Sequence, residues 1–223
     1  MGYKIEDLPS YDVGVFDKAL MEVSDGGLGS YSMNGNELKT NIVGQHLDFP
    51  LKLGVYYPHV PIIGSTSSNA FPGTNALTCL FTTFAQPVSP QSFSVNVTGA
   101  VASSLMKIVV YKYFQGGNTI ELMGASPDLD CSTTGLKTWT TSGTISFNET
   151  SQMYAIGVIA NINTINTTGA PVGSIPAFWS SGIGSSNNVI GFSYFPGSYT
   201  VPNSATVSPN YVTSTPLIYM YIS

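Results

Sequence analysis

The chain of 223 residues is only 9% charged, with seven lysines, no arginine, twelve acids and a net charge of −5, where an average soluble domain is about 25% charged. With no guanidinium to grip phosphate or a guanine edge, it is not expected to bind nucleic acid. No stretch approaches the roughly 20 apolar residues of a membrane span, so no membrane insertion is expected.

Residues 1–52 hold twelve of the nineteen charged side chains, eight acids and four lysines. This break in composition separates an N-terminal docking arm and connector, 1–52, from a β-rich domain, 53–223. The opening Met-Gly-Tyr-Lys-Ile-Glu-Asp lacks the charged lead and apolar run of a secretion signal. Val13, Phe16, Leu20 and Val23 are spaced three, four and three apart, which predicts a short helix over 12–23 with one apolar face. Asp12 suits its N-cap and Asp25-Gly-Gly27 its end. A segment this short has no core of its own. Its stripe has to be buried on the chain's own sandwich or, as a docking surface, on a partner. Residues 26–44, rich in Gly, Ser and Asn, read as an extended connector with short strand-like pieces such as 29–33.

After a loop at Pro72-Gly73, strands are predicted near 76–84, 93–98, 106–114, 120–125, 137–147, 153–160, 177–179, 189–194 and 217–222, at the spacing of a sandwich. Turn formers separate them: Gln86-Pro-Val-Ser-Pro90, Gln115-Gly-Gly-Asn118, Ser126-Pro-Asp128 and Ser185-Ser-Asn-Asn188. Met153-Tyr-Ala-Ile-Gly-Val-Ile-Ala160 is apolar almost throughout and reads as a strand covered on both faces. The preceding segment, 135–147, alternates as a strand wet on one face does. The polar break Asn148-Glu-Thr-Ser-Gln152 predicts that these two strands pair as an antiparallel hairpin. Fold class is therefore all-β, an antiparallel two-sheet sandwich with a short N-terminal arm containing one helix. The long Asn/Thr/Gly/Pro-rich segments 161–176 and 196–215 are expected to be binding or intersubunit surface. There are no heptads or tandem repeats, so the chain is not a fibre shaft.

The residues that could carry chemistry are few. His46 and His59 have no nearby Cys or second His, so no zinc site is expected. His59 with a serine is the one hydrolase pair available, and no Gly-x-Ser-x-Gly elbow supports it. Beyond residue 52 the acids are Glu121, Asp128, Asp130 and Glu149. They are too few to single out a glycosidase pair, and Asp128-Leu-Asp130 reads as a solvated turn ahead of a calcium loop. Cys79 and Cys131 are expected to be reduced, apolar fillers, with a cross-sheet disulfide as the alternative in an oxidising compartment. No cofactor, no metal and no enzymatic activity are expected, a polysaccharide hydrolase being the last of the alternative readings. Most aromatics read as core. Trp179, Tyr199 and Tyr211, beside or within the long loops, are the candidates to stack on sugar rings of a host surface glycan.

The order of features from Tyr56 to Ile222 resembles a β-sandwich domain of bacteriophage tail-fibre, head-fibre and capsid-decoration proteins. The residues that carry this are Tyr56-Tyr-Pro58, Gly64-Ser-Thr66, Leu77 to Phe81, Val95-Asn-Val-Thr98, Val109-Val-Tyr111 and Tyr154-Ala-Ile156. The family's usual Arg before the apolar-Tyr strand is absent, with Lys107 nearest, as is the Pro-Gly before Met153. The resemblance implies a jelly-roll-like sandwich in a virion, assembled in the host cytoplasm, usually as a homotrimer. It further implies docking on a major capsid or tail protein, with a glycan-binding adhesin as the alternative.

Overall fold

The computed structural model describes residues 20–24, 30–34, 54–60, 66–70, 74–84, 86–150, 152–170, 179–180, 188–210 and 215–223. The chain divides into two compact units, Met1–Asp48 and Phe49–Ser223.

In the first unit, β1 (Leu20–Ser24) pairs antiparallel with β2 (Ser30–Asn34), in register from Leu20↔Asn34 to Ser24↔Ser30. Of the helix expected over 12–23, residues 12–19 lie outside the described residues, and 20–23 fall on β1. Leu20 and Val23 stand on this strand. Val13 and Phe16 lie outside the described residues.

The second unit runs β3 (Val55–Pro58), β4 (Ser67–Ala70), β5 (Leu77–Thr82), β6 (Ser92–Gly99), β7 (Leu105–Phe114), β8 (Thr119–Ala125), β9 (Leu129–Asp130), β10 (Gly135–Thr140), β11 (Met153–Ala160), β12 (Asn166–Ala170), β13 (Trp179–Ser180), β14 (Asn188–Val189), β15 (Gly191–Tyr194), β16 (Ser204–Thr206), β17 (Pro209–Asn210), β18 (Thr215–Pro216) and β19 (Ile218–Ile222). An eight-stranded sheet has the order β16-β8-β7-β11-β5-β15-β17, with β9 beside β7. A seven-stranded sheet has the order β18-β12-β6-β19-β3, with β10 beside β6 and β4 beside β12. β13 and β14 form a separate short ladder. The described part of this unit is all-β and sandwich-like, built from two antiparallel curled sheets.

β11 is the strand around which both sheets are arranged. It is buried from residue 154 to 160 and lies between β7 and β5, in register from Met153↔Tyr113 to Ala160↔Met106 on one side. Alternation along it feeds two cores. Tyr154, Ile156, Val158 and Ala160 meet Met106, Ile108 and Val110 of β7, Phe93, Val95 and Val97 of β6, and Ile218, Met220 and Ile222 of β19. Ala155 and Ile159 point the other way, with Leu77, Cys79, Phe81, Val109, Tyr111, Phe192 and Val207. The second core lies within the curl of the eight-stranded sheet. One continuous segment, 203–210, pairs with β8 along Ser204↔Glu121 to Thr206↔Thr119 and with β15 along Gly191↔Asn210 and Phe192↔Pro209. It thereby joins the two edges of that sheet, and the Tyr111 hydroxyl donates to the Pro202 carbonyl at 3.1 Å.

The hairpin expected between the 135–147 segment and β11 does not form. β10 pairs with β6, from Gly135↔Val97 to Thr140↔Ser92, and so belongs to the other sheet. Residues 141–152 carry the chain across. Thr141 donates its hydroxyl to the Pro90 carbonyl, and Ser142 and Gly143 turn with positive φ. Ile145 and Phe147, which the alternation placed on a strand, are buried plugs; the Phe147 ring lies 4.4 Å from that of Phe84 and 4.7 Å from that of Tyr154. Cys79 and Cys131 are free, buried thiols in different cores, so the cross-sheet disulfide does not form. Burial raises both thiol pKa values, that of Cys131 to about 11.

A Cβ on Gly157 would sit 2.0 Å from the Thr78 carbonyl oxygen and 2.6 Å from the Cys79 Sγ. The Thr78 oxygen and the Cys79 Cα, also 2.6 Å away, are backbone atoms, so the strands themselves have to move. Gly157→Ala should cost at least about 1–3 kcal/mol in urea unfolding. Gly116→Ala, where a Cβ meets nothing within 4 Å, should stay within about 0.5 kcal/mol of the parent.

Candidate docking face

The outer surface of the seven-stranded sheet is assembled by simple alternation. Phe93, Val95 and Val97 of β6 point into the core, which turns Ser92, Ser94, Asn96 and Thr98 outward. β10 adds Leu136, Thr138 and Thr140, each exposed. Ile218, Met220 and Ile222 of β19 point inward and send Tyr219 and Tyr221 outward. Register places Leu136 opposite Asn96, Thr138 and Tyr219 opposite Ser94, and Tyr56 of β3 opposite Tyr221.

The result is a tyrosine-bearing face without a charge on it. Tyr56 is 51% exposed and Leu136 54%, and the rings of Tyr56 and Tyr221 lie 5.1 Å apart, tilted. A shallow depression of about 320 Å³ is lined by Tyr56, Asn96, Leu136, Thr168 and Tyr219. Two pairs of polar groups beside it are bonded. Asn96 Nδ2 donates to Thr168 Oγ1 at 2.9 Å, and the Ser94 and Thr138 hydroxyls lie 2.9 Å apart. Sequence reasoning had Tyr56 and Leu136 in view but not their meeting. The missed signal is the strict alternation of Tyr with Ile and Met in 218–222.

The aromatics expected from sequence to meet a glycan are described only in part. Trp179 stands on β13, paired with Val189, and Tyr211 lies outside the described residues. Tyr199 is half-buried against the curl's core, with the Lys107 ammonium 5.2 Å from its ring centroid. Burial first, then the Asp128 carboxylate, raises its phenol pKa. The acids sit beside lysines. Glu149 bonds Lys112 at 2.6 Å and Asp128 pairs with Lys107 at 3.6 Å, while Glu121 is cross-strand from Lys112. Asp130 accepts from the Ser132 N–H at 2.8 Å. Among the described residues no three His, Cys, Asp or Glu side chains gather as a metal site.

His59 is buried, packed beside Val60 next to the Leu80, Ile190 and Leu217 cluster. Its Nδ1 faces both backbone groups of Ile218, 3.2 Å from N and 3.1 Å from O. Nε2 has no partner among the described residues. Burial holds its pKa down to about 4, the Ile218 backbone bond only partly opposing that. His46 lies outside the described residues. No protein-family model and no curated protein matches the chain.

The depressed value gives a pH signature. Below pH 6.5 the unfolded chain binds a proton at His59 that the folded chain refuses until about pH 4. Roughly 3 kcal/mol of stability, fully present above pH 6.5, is therefore lost as pH falls through that window. Urea unfolding across a pH series should show this fall, and His59→Asn should remove its contribution to the slope.

Proposed function

We propose that the chain is a non-enzymatic structural protein of a bacteriophage virion, assembled in the host cytoplasm. Residues 1–52 dock it on a major capsid or tail protein, and the β-domain, of jelly-roll type, faces outward. It acts as a homotrimeric capsid decoration, cement or head-fibre protein. The similarity in order of features from Tyr56 to Ile222 supports this reading, as does the all-β double-sheet architecture.

The observation that carries it is the distribution of charge. Of seven charged side chains in 53–223, none lies on the outer face of the seven-stranded sheet. Hydroxyl, amide and aromatic groups pack into a permanent assembly at less desolvation cost than ions do. A second reading, an adhesin that binds neutral host-surface glycan, is favoured by the half-exposed Tyr56 ring beside an uncharged depression.

The test is incorporation. The full chain and a 53–223 fragment are each co-expressed with the capsid and tail components of the particle, and purified particles are quantified by mass spectrometry. The full chain should be incorporated. The fragment should be lost from particles while retaining a cooperative β-type unfolding transition by circular dichroism. Incorporation of the fragment at the level of the full chain would overturn the docking arm.

A further inference from the structure

We infer that His59 is an acid-operated latch on β3: a proton on its imidazole lets β3 leave β19 while β11 and the cores on either side of it stay folded. The geometry just past the end of β3 carries this. β3 and β19 are in register from Ile222↔Val55 to Tyr219↔Pro58, so the next rung would join Ile218 and His59 through both backbone groups of each. Only half of that rung is backbone. The His59 N–H donates to the Ile218 carbonyl at 2.9 Å. The Ile218 N–H, which a regular ladder would send to the carbonyl of residue 59, donates instead to the imidazole Nδ1 at 3.2 Å. A group that can take up a proton stands where a carbonyl would be.

The bond needs a bare Nδ1, and protonation turns that nitrogen into a donor. Its new N–H can turn to the Ile218 carbonyl, 3.1 Å away and already bonded to His59 N–H, but the Ile218 N–H then loses its acceptor. The cation also lies in an apolar site, beside Val60, Leu80, Ile190 and Leu217. None of the seven charged side chains of 53–223 stands on β3, β5, β15 or β19. The ionisable side chains on those elements are Tyr219, which lies against the cluster, and Tyr56, Tyr57, Cys79, Tyr194 and Tyr221. No carboxylate among them can pair with an imidazolium, which is therefore stable only once it reaches water.

β3 is the element that yields. It has four residues, none of them fully buried, and ends its sheet with β19 as its one partner among the described residues. β19 is held on its other side by β6, from Ile218↔Val95 to Tyr221↔Ser92, and stays. Short edge strands open at far less cost than whole domains. The departure of β3 bares the backbone groups of Ile218, Met220 and Ile222, an edge onto which another strand can add. The latch goes beyond the virion reading and does not depend on it.

The experiment is amide hydrogen exchange by NMR on the full chain at pH 7 and pH 4, each in a series of low urea concentrations and each referred to the intrinsic rates at that pH. The Gly54 and His59 amides, donors to the Ile222 and Ile218 carbonyls, report on β3, and Ile156 and Val158 report on β11. The imidazole titrates near 6.5 when β3 is open and at about 4 when burial holds it closed. Protection of the β3 amides should therefore fall roughly 100-fold from pH 7 to pH 4. That fall should depend little on urea, with the β11 amides more protected and urea-sensitive. His59→Asn, whose amide oxygen accepts from Ile218 without titrating, should remove the fall. A disulfide joining Tyr56→Cys to Tyr221→Cys, a cross-strand pair, should keep β3 protected at pH 4 with His59 in place. The inference is overturned by β3 amides that stay protected at pH 4, or that lose protection with the urea dependence of β11. A fall of the parent's size in His59→Asn or in the cross-linked chain overturns it as well.

Discussion

Double-sided burial of β11 is the constraint from which the rest of the β-domain follows. A strand whose two sets of side chains are both apolar needs two covers. The chain supplies them differently. One set is met by β6 and β19 of the opposing sheet. The other is met by the eight-stranded sheet's own curvature, which brings Phe192 and Val207 over the same face. Curling that tightly leaves no room for side chains at every position. Gly157 of β11 and Gly191 of β15 both lie against the backbone of Cys79 on the strand between them, and a Cβ on either would come within 2.0 Å of a carbonyl oxygen. The glycines are there because the strands approach closely, and the close approach is what lets the sheet bend back on itself.

Curvature also settles the fate of the sheet's edges. An open sheet ends in unpaired N–H and C=O groups that invite another chain. Here β8 and β15 would be those edges, and 203–210 hydrogen-bonds to both. Val207 marks the crossing, its N–H bonded to the Asn118 carbonyl and its side chain buried in the curl. A segment whose composition suggested a loop is thus a strap with two short strands in it. Among the described residues the seven-stranded sheet has no equivalent strap, and β10 pairs with a single neighbour.

What the sequence revealed was whatever depended on local pattern. The strand over 153–160 lies where its apolar run placed it, and the alternation in 135–140 is the alternation of exposure along β10. What it concealed was whatever depended on partners. The same alternation continued to Phe147 and suggested a hairpin, because a buried plug and a buried strand position look alike in composition. β12, β16, β17 and β18 are short and polar, and only the neighbours they bond to make them strands. Residues 20–23, the end of the expected helix, are strand through their pairing with 30–34. The tyrosine face was hidden for the same reason. Tyr56, Leu136 and Tyr219 are far apart in the chain and meet only through the register of three strands on one sheet.

The placing of charge ties the fold to the proposed role. Lys107 and Lys112 stand on β7, Glu121 on β8, Asp130 on β9, with Asp128 and Glu149 in loops beside them. The seventh charge, Lys137, alternates away from Leu136 on β10 and donates to the Thr133 hydroxyl at 2.8 Å. Every charge in 53–223 is therefore kept off the outer surface of the seven-stranded sheet. Solubility alone would favour the opposite, since an exposed sheet face is where a lysine or glutamate costs least. An uncharged face carrying two half-exposed apolar anchors makes physical sense when something else covers it.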